Sequence, residues 1–165
     1  MNAHAINTFK LVNNKGKRYW VKFHLLTDSG MRNLTASEAT RLAGEDPDYA
    51  TRDLFNHIAS GKEASWTLYF QVIPYEEGFK YKYNIFDPTK MVDESDYPFI
   101  PVGKLVLNKN PSNFFAEVEQ AALNPSNLVP GIEPSPDRTL QARLFTYSDT
   151  QVSSNKEKFK KKKKD

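Results

Sequence analysis

The 165-residue chain contains no cysteine. That excludes a disulfide framework and any thiolate metal site, and it leaves the redox compartment open. Histidine is almost as scarce: His4, His24 and His57 are scattered without the spacing of a metal-binding set, so they read as structural residues. No apolar run approaches the ~20 residues of a membrane span, and the N-terminus lacks a signal-peptide core. A soluble, intracellular chain without a membrane partner is expected, with enough residues for one domain around one core.

Evenly distributed positive charge is lacking too. The formal balance is +3, but from Val152 onward seven lysines stand against one glutamate and one aspartate. The remainder is slightly acidic, so no basic face for nucleic acid is implied, and a nucleic-acid partner is not expected. The stretch 152–165 has no periodicity and reads as a disordered, lysine-rich tail. Such a run fits a nuclear address or a patch for acidic lipid or nucleic acid. It is read more simply as an alternative or read-through end, because lysine codons are A-rich.

Aromatic residues are plentiful at 13%, which suits a packed sheet or a flat ligand. Residues 8–13 and 18–25 read as strands joined by the turn Asn13-Asn14-Lys15-Gly16-Lys17, hence a hairpin. Thr35 caps a helix that Gly44 is expected to end, and a second helix runs from Pro47 to Gly61 with Ala50, Leu54, Phe55 and Ile58 at helical spacing. Adjacent Arg52 and Asp53 cannot face each other on that helix, so each is expected to pair elsewhere. Trp66–Ile73 and Val102–Leu107 read as strands, the latter with Pro101 at its entry. Between them the segment 75–97 reads as loop, with the acids Asp93, Glu94 and Asp96 expected to be solvated rather than catalytic. Residues 114–123 suggest a short helix with Phe115, Val118 and Ala122 on one face. Pro125, Pro130, Pro134 and Pro136 make 124–136 an extended covering arm. Ser135 as N-cap and Pro136 at the first position then open a last helix.

That last helix carries Arg143 and Tyr147, four residues apart and so on one face. An opposite charge beside a phenol favours the phenolate, a hard anionic oxygen ligand and one of the few axial ligands that proteins offer to ferric haem. By itself an R-x-x-x-Y pair is read more simply as an ordinary helix edge.

The nine residues Arg143-Leu144-Phe145-Thr146-Tyr147-Ser148-Asp149-Thr150-Gln151 resemble the proximal haem-ligand signature of the catalase family. The likeness continues through Phe9-Lys10-Leu11-Val12, Glu45-Asp46-Pro47-Asp48-Tyr49, Arg52-Asp53-Leu54-Phe55-Asn56, Ser65-Trp66-Thr67-Leu68-Tyr69, the run from Asp96-Tyr97-Pro98 to Asn108, Phe115 to Gln120, and Pro130-Gly131-Ile132-Glu133. It spans about residues 1–151.

The resemblance implies an α+β fold built on the second half of an antiparallel eight-stranded β-barrel, with inserted helices at 35–61, a Pro-rich wrapping arm and a proximal ligand helix. The division expected is a partial catalase core over 1–151 and a separate tail over 152–165. It implies haem b, with Tyr147 as the axial ligand to iron, Arg143 as the arginine that keeps it ionised, and Asp137 extending the network behind. A histidine completes that network in the family; Asn7 stands there instead, and can hydrogen-bond but not carry charge. The implied reaction is disproportionation of hydrogen peroxide to water and dioxygen, in a homotetramer that is peroxisomal or cytoplasmic. No Ser-Lys-Leu-type address ends this chain. The family's distal histidine and asparagine would precede Met1, so no catalytic distal residue is assigned here. The barrel edges left by that missing half are expected to be exposed. Of the family's nicotinamide-dinucleotide site, Asn2 matches, but Leu26 replaces a lysine and Glu94 a histidine. An acid facing a phosphate is unfavourable, so NADPH is not expected.

Overall fold

In the computed structural model, which describes the backbone of residues 1–162 and the side chains through 152, six strands form one antiparallel sheet. They are β1 (Ala3–His4), β2 (Phe9–Val12), β3 (Arg18–Thr27), β4 (Ala64–Pro74), β5 (Phe99–Leu107) and β6 (Ile132–Pro134). The order is β5-β4-β3-β2-β6, with β1 also on β3. The helices are α1 (Ala36–Glu45), α2 (Tyr49–Ala59) and α3 (Arg138–Lys162). Strands and helices are thus combined as α+β, and the sheet stays open rather than closing into a barrel.

The expected hairpin is β2–β3. Its turn is held by the Asn13 side chain, which accepts from the backbone of Lys15 and Lys17, and by Gly16 at φ 76°, a left-handed position that favours glycine. β3 is the longest-paired strand because it meets β4 along one edge and both β1 and β2 along the other. Between the pairs His4↔His24 and Phe9↔Val21, residues 5–8 oppose only 22–23. The first strand therefore bulges there, and the bulge turns Asn7 and Thr8 inward, where both are buried.

Thr35 caps α1 in a reciprocal box with Glu38. The helix does not stop at Gly44 but runs through it to Glu45, with Arg41 paired to Glu45 and the Asp46 N–H closing on Leu42. Gly61, at φ 80°, ends the second helix region as expected. Arg52 pairs with Asp46 (3.0 Å). Pro101 lies inside β5, opposite Tyr69 at a register shift, rather than at the strand's entry. Because β5 is an edge strand, a residue without an N–H is tolerated there.

The loop 75–97 folds onto the sheet around Trp20, which packs with Ile73, Ile85 and Val92 and is flanked by Tyr75, Tyr81, Phe86 and Tyr97. Its acids are not simply solvated. Lys82 pairs with both Asp93 and Asp96, and Tyr81 donates to Asp96 (2.7 Å). Tyr81 and then Lys82 hold Asp96 below the usual carboxylate range, and the two carboxylates raise Lys82. Glu94 is exposed.

The expected helix over 114–123 is a single π turn, Phe115–Glu119. Its start is wound by side chains: Asn113 accepts from the Ala116 N–H, and Glu117 accepts from Ser112 and Asn113. The arm is not structureless, since it contributes β6 to the sheet beside β2. α3 continues to Lys162, across most of the stretch read as a disordered tail from 152; residues 163–165 lie outside the described residues.

Two consequences are measurable. A Cβ on Gly78 would sit 2.3 Å from Trp20 Cδ1, so Gly78→Ala is expected to cost about 1–3 kcal/mol of stability, read from the urea midpoint. The second concerns His4 and His24, whose Nδ1 atoms are 2.8 Å apart, an arrangement in which only one can carry a proton. Burial, followed by His4, lowers the pKa of His24 from 6.5 to about 4, against an opposing contribution from Gln71. Neutral His24 is the folded form, so its contribution is complete above pH 6.5 and is lost as pH falls toward 4. The urea midpoint should therefore fall across that window, and fall less in His24→Gln; parallel curves would remove His24 as the cause.

Candidate functional site

α3 begins where Asp137 caps it: Oδ1 accepts from the backbone N–H of Thr139 (2.8 Å) and Leu140 (3.1 Å). The cap is therefore not Ser135, and Pro136 lies before the helix. Ser135 is occupied elsewhere, donating to the Thr8 carbonyl (2.5 Å) while its own carbonyl accepts from Gln141 (2.8 Å). Leu140, in the first turn, is fully buried.

The second oxygen of Asp137 starts a chain of side chains. Asn7 Nδ2 donates to Asp137 Oδ2 (2.8 Å), Arg143 Nη1 donates to Asn7 Oδ1 (2.5 Å), and Arg143 Nη2 donates to the Tyr147 hydroxyl oxygen (2.9 Å). All three residues singled out in the sequence, Asp137, Arg143 and Tyr147, are thus in one network. Asn7, from the β1–β2 bulge, is its centre. Its amide has one workable orientation, oxygen toward the guanidinium and nitrogen toward the carboxylate. Asn7 and Asp137 are each 1% exposed, whereas Arg143 and Tyr147 are half-buried. The guanidinium carbon also lies 5.1 Å from the Tyr147 ring centroid, so Arg143 contacts both ring and oxygen.

Behind the network stands Lys22, which the sequence reading did not single out. It is 4% exposed, and its Nζ donates to the Ile6 carbonyl (3.3 Å). Burial lowers its pKa, opposed by the carboxylates of Asp137 and Asp87. No local pattern marks such a residue; a lysine at an inward position of a strand is the one available signal.

In front of Tyr147 is a groove of about 430 Å³, mostly apolar, walled by Val118, Ala121 and Leu123 on one side and Thr146 and Thr150 on the other. The threonine hydroxyls donate back to the carbonyls of Ala142 and Thr146, which leaves their methyl groups for the groove. Two bonds clasp the arm to α3: Asn124 Nδ2 to Ser148 Oγ (2.9 Å) and Gln151 Nε2 to the Leu123 carbonyl (3.0 Å). Among the described residues, Arg143 provides the one hydrogen bond to the Tyr147 oxygen. An oxygen held by a cation beside an apolar groove is suited to binding a cation-centred, flat group. A wider groove, about 700 Å³, lies over Phe79, Tyr83, Phe86 and Arg138 and includes none of the Arg143–Tyr147 pair. Asn2 is engaged locally, accepting from the Thr27 N–H (3.0 Å).

The two roles of Asp137 can be separated. Asp137→Asn keeps a capping oxygen but sets an amide against the Asn7 amide, and is expected to cost about 1–3 kcal/mol. Asp137→Ala removes the cap as well and should cost about 1 kcal/mol more. Urea unfolding of both variants gives the comparison; equal losses would mean that the cap contributes nothing.

The sequence profile described as Catalase matches residues 1–161. The chain is 59% identical over 150 residues to the catalase of Rattus norvegicus, covering 91% of this chain and 28% of that protein. It is 55% identical over 150 residues to the catalase of Drosophila melanogaster, covering 91% of this chain and 30% of that protein. Among solved structures, a fungal catalase superimposes with a TM-score of 0.87 at 50% identity, over 92% of this chain and 30% of that one. Catalase A from Saccharomyces cerevisiae gives 0.87 at 46%, over 92% and 31%. The chain thus spans less than a third of these relatives' length. A profile matched over nearly all its residues, together with this fold, means that the chain belongs to the catalase family.

Proposed function

We propose that this chain provides the tyrosine-bearing side of a haem site in a catalase-type enzyme that disproportionates hydrogen peroxide to water and dioxygen. The observation that carries the reading is Tyr147, whose oxygen accepts from Arg143 at 2.9 Å and which lines a mostly apolar groove. Tyrosine is the axial haem ligand for which catalases are the known case. The donor set fits haem iron: Tyr147 is the metal ligand, and Arg143 balances the charge of its oxygen. Asn7 and Asp137 hold Arg143 in place, as partners behind a metal ligand generally do. Val118, Ala121 and Leu123 supply the apolar wall of the groove that Tyr147 also lines. Bound haem b would supply the redox chemistry on peroxide.

Asn7 gives the network a particular character. It transmits polarisation from Asp137 to Arg143 through two hydrogen bonds but cannot take up or release a proton at neutral pH. The network therefore orients Arg143 without relaying protons. On the same reading the core is 1–151 with 152–165 as an appendage, the assembly a homo-oligomer of the family's tetrameric kind, and the location peroxisomal or cytoplasmic.

A second reading, a non-catalytic catalase segment that binds a partner chain, is supported by β5. This edge strand leaves Ile100, Val102, Leu105 and Val106 largely exposed.

Haemin titration followed by absorption separates the two. Wild type is expected to show a ferric phenolate spectrum that Tyr147→Phe loses. Arg143→Leu should keep the spectral type and bind about 10–100-fold more weakly. Identical spectra for wild type and Tyr147→Phe would overturn Tyr147 as ligand and leave the second reading.

A further inference from the structure

Lys22 is a charged residue placed where the sheet is most crowded. It is one of the two β3 residues, 22 and 23, that residues 5–8 bulge over. Water is almost excluded from it, and its one hydrogen bond given by the structure goes to the carbonyl of Ile6 (3.3 Å). A buried ammonium is costly unless paired, and replacing such a group by an apolar chain is often neutral or stabilising. Stability of the fold is therefore a poor account of why a lysine sits here.

Its surroundings suggest a different account. Ile6 precedes Asn7, the residue that bridges Asp137 and Arg143. Each residue of the segment 6–8 is tied in a different direction. Lys22 holds the Ile6 carbonyl; Asn7 spans Asp137 and Arg143; Thr8 donates to the Ile85 carbonyl (2.6 Å) and accepts from Ser135. Of these ties, Lys22 is the one on the β1 side of Asn7. The carboxylates of Asp137 and Asp87 act on the ammonium through space, so the group that accepts from Asn7 is one whose charge also reaches Lys22.

We propose that Lys22 is a positioning residue for Tyr147. It holds the Ile6 peptide, and so keeps Asn7 in the one rotamer that bridges Asp137 to Arg143. Without it, the bulge is held on the β1 side only farther back, by the Ala5 N–H to the Phe23 carbonyl (2.9 Å), so Asn7 can swing away and Arg143 loses the acceptor that aims its other nitrogen at the Tyr147 oxygen. The importance for haem rests on the reading of Tyr147 as a ligand; the coupling from Lys22 to Asn7 does not.

The test uses the full, haem-free chain, labelled with nitrogen-15. The side-chain amide of Asn7 is assigned by its disappearance in Asn7→Ala, and its exchange with solvent is measured in wild type and in Lys22→Met. Lys22→Met is expected to keep the urea midpoint and to speed exchange of the Asn7 amide by about tenfold or more, the mark of a local opening rather than a global one. Unchanged exchange, or exchange faster only in proportion to lost global stability, would overturn the proposal. If Lys22→Met does not fold, wild type decides: the carbon-13 signal of Lys22 Cε is followed against pH beside the Asn7 amide. A shared midpoint supports the coupling, and an Asn7 amide that ignores the lysine's titration overturns it. Failure of wild type to bind haemin would defeat the haem reading and leave the Lys22 result standing.

Discussion

The hydrogen bond on which the site depends runs from Asn7 Nδ2 to Asp137 Oδ2, across 130 residues of chain. Asp137 is at that point also the cap of α3, so the carboxylate that starts the helix is the one that fixes the bulge between β1 and β2. The helix can face the sheet in only one rotational setting that satisfies both oxygens. That setting places Arg143 within reach of Asn7, and a further turn along places Tyr147 within reach of Arg143. The direction of the Tyr147 oxygen is therefore a consequence of a cap and a bulge, both distant from it. Leu140 and the Ser135–Thr8 bond make the joint rigid by filling and tying the space around it.

Charge is concentrated behind this joint in a way that only pairing permits. Lys22 and Asp137 are both nearly sealed from water, and Arg143 is half-buried, with a neutral amide between the two ends. Each unpaired ion in such a place would cost several kcal/mol, while alternating cation, carboxylate and cation lowers that cost. An amide at the centre divides the load without adding charge of its own. It also makes the arrangement directional, because its oxygen must face the guanidinium and its nitrogen the carboxylate. A group that could exchange those roles by moving a proton would leave the setting of Arg143 dependent on pH.

Much of this was legible in the sequence where causes are local. The turn at Asn13–Lys17, the capping box at Thr35 and the four-residue spacing of Arg143 and Tyr147 depend on neighbours within a few positions, and they are found as read. Misreadings occur where a distant partner decides. Ser135 has the composition of a cap, but the Thr8 carbonyl claims its hydroxyl, and the cap moves to Asp137. Asp93 and Asp96 look solvated until Lys82 and Tyr81 are folded against them. The apolar face read over 114–123 belongs to a helix that is not built; a π turn directs Val118 and Ala121 to the groove instead. Asn7 was visible only through resemblance, as the wrong residue type for a charged network, and Lys22 was not visible at all. Nothing in a strand's own residues announces that a bulge will pack over its middle.

The open edge of the sheet follows from the same economy of local and distant contacts. β5 is bound along one side by β4 and has no strand on the other. Two features blunt it. Pro101 presents no N–H to a new strand, and Lys104, paired with Asp28 (3.2 Å), puts a charge in the middle of the strand. Asp28 is in turn held by Ser65 and Thr67 of β4, so the charge is anchored across three strands and does not swing aside. Such an edge resists indiscriminate pairing yet keeps Ile100, Val102, Leu105 and Val106 available. An interface built on these residues must therefore come from side-chain packing over the apolar positions more than from extension of the ladder. On the Tyr147 side of the molecule, by contrast, two hydrogen bonds through Asn124 and Gln151 clasp the arm to α3. The two surfaces thus differ: one is a sheet edge with exposed apolar side chains, and the other is a groove between two segments of the chain itself.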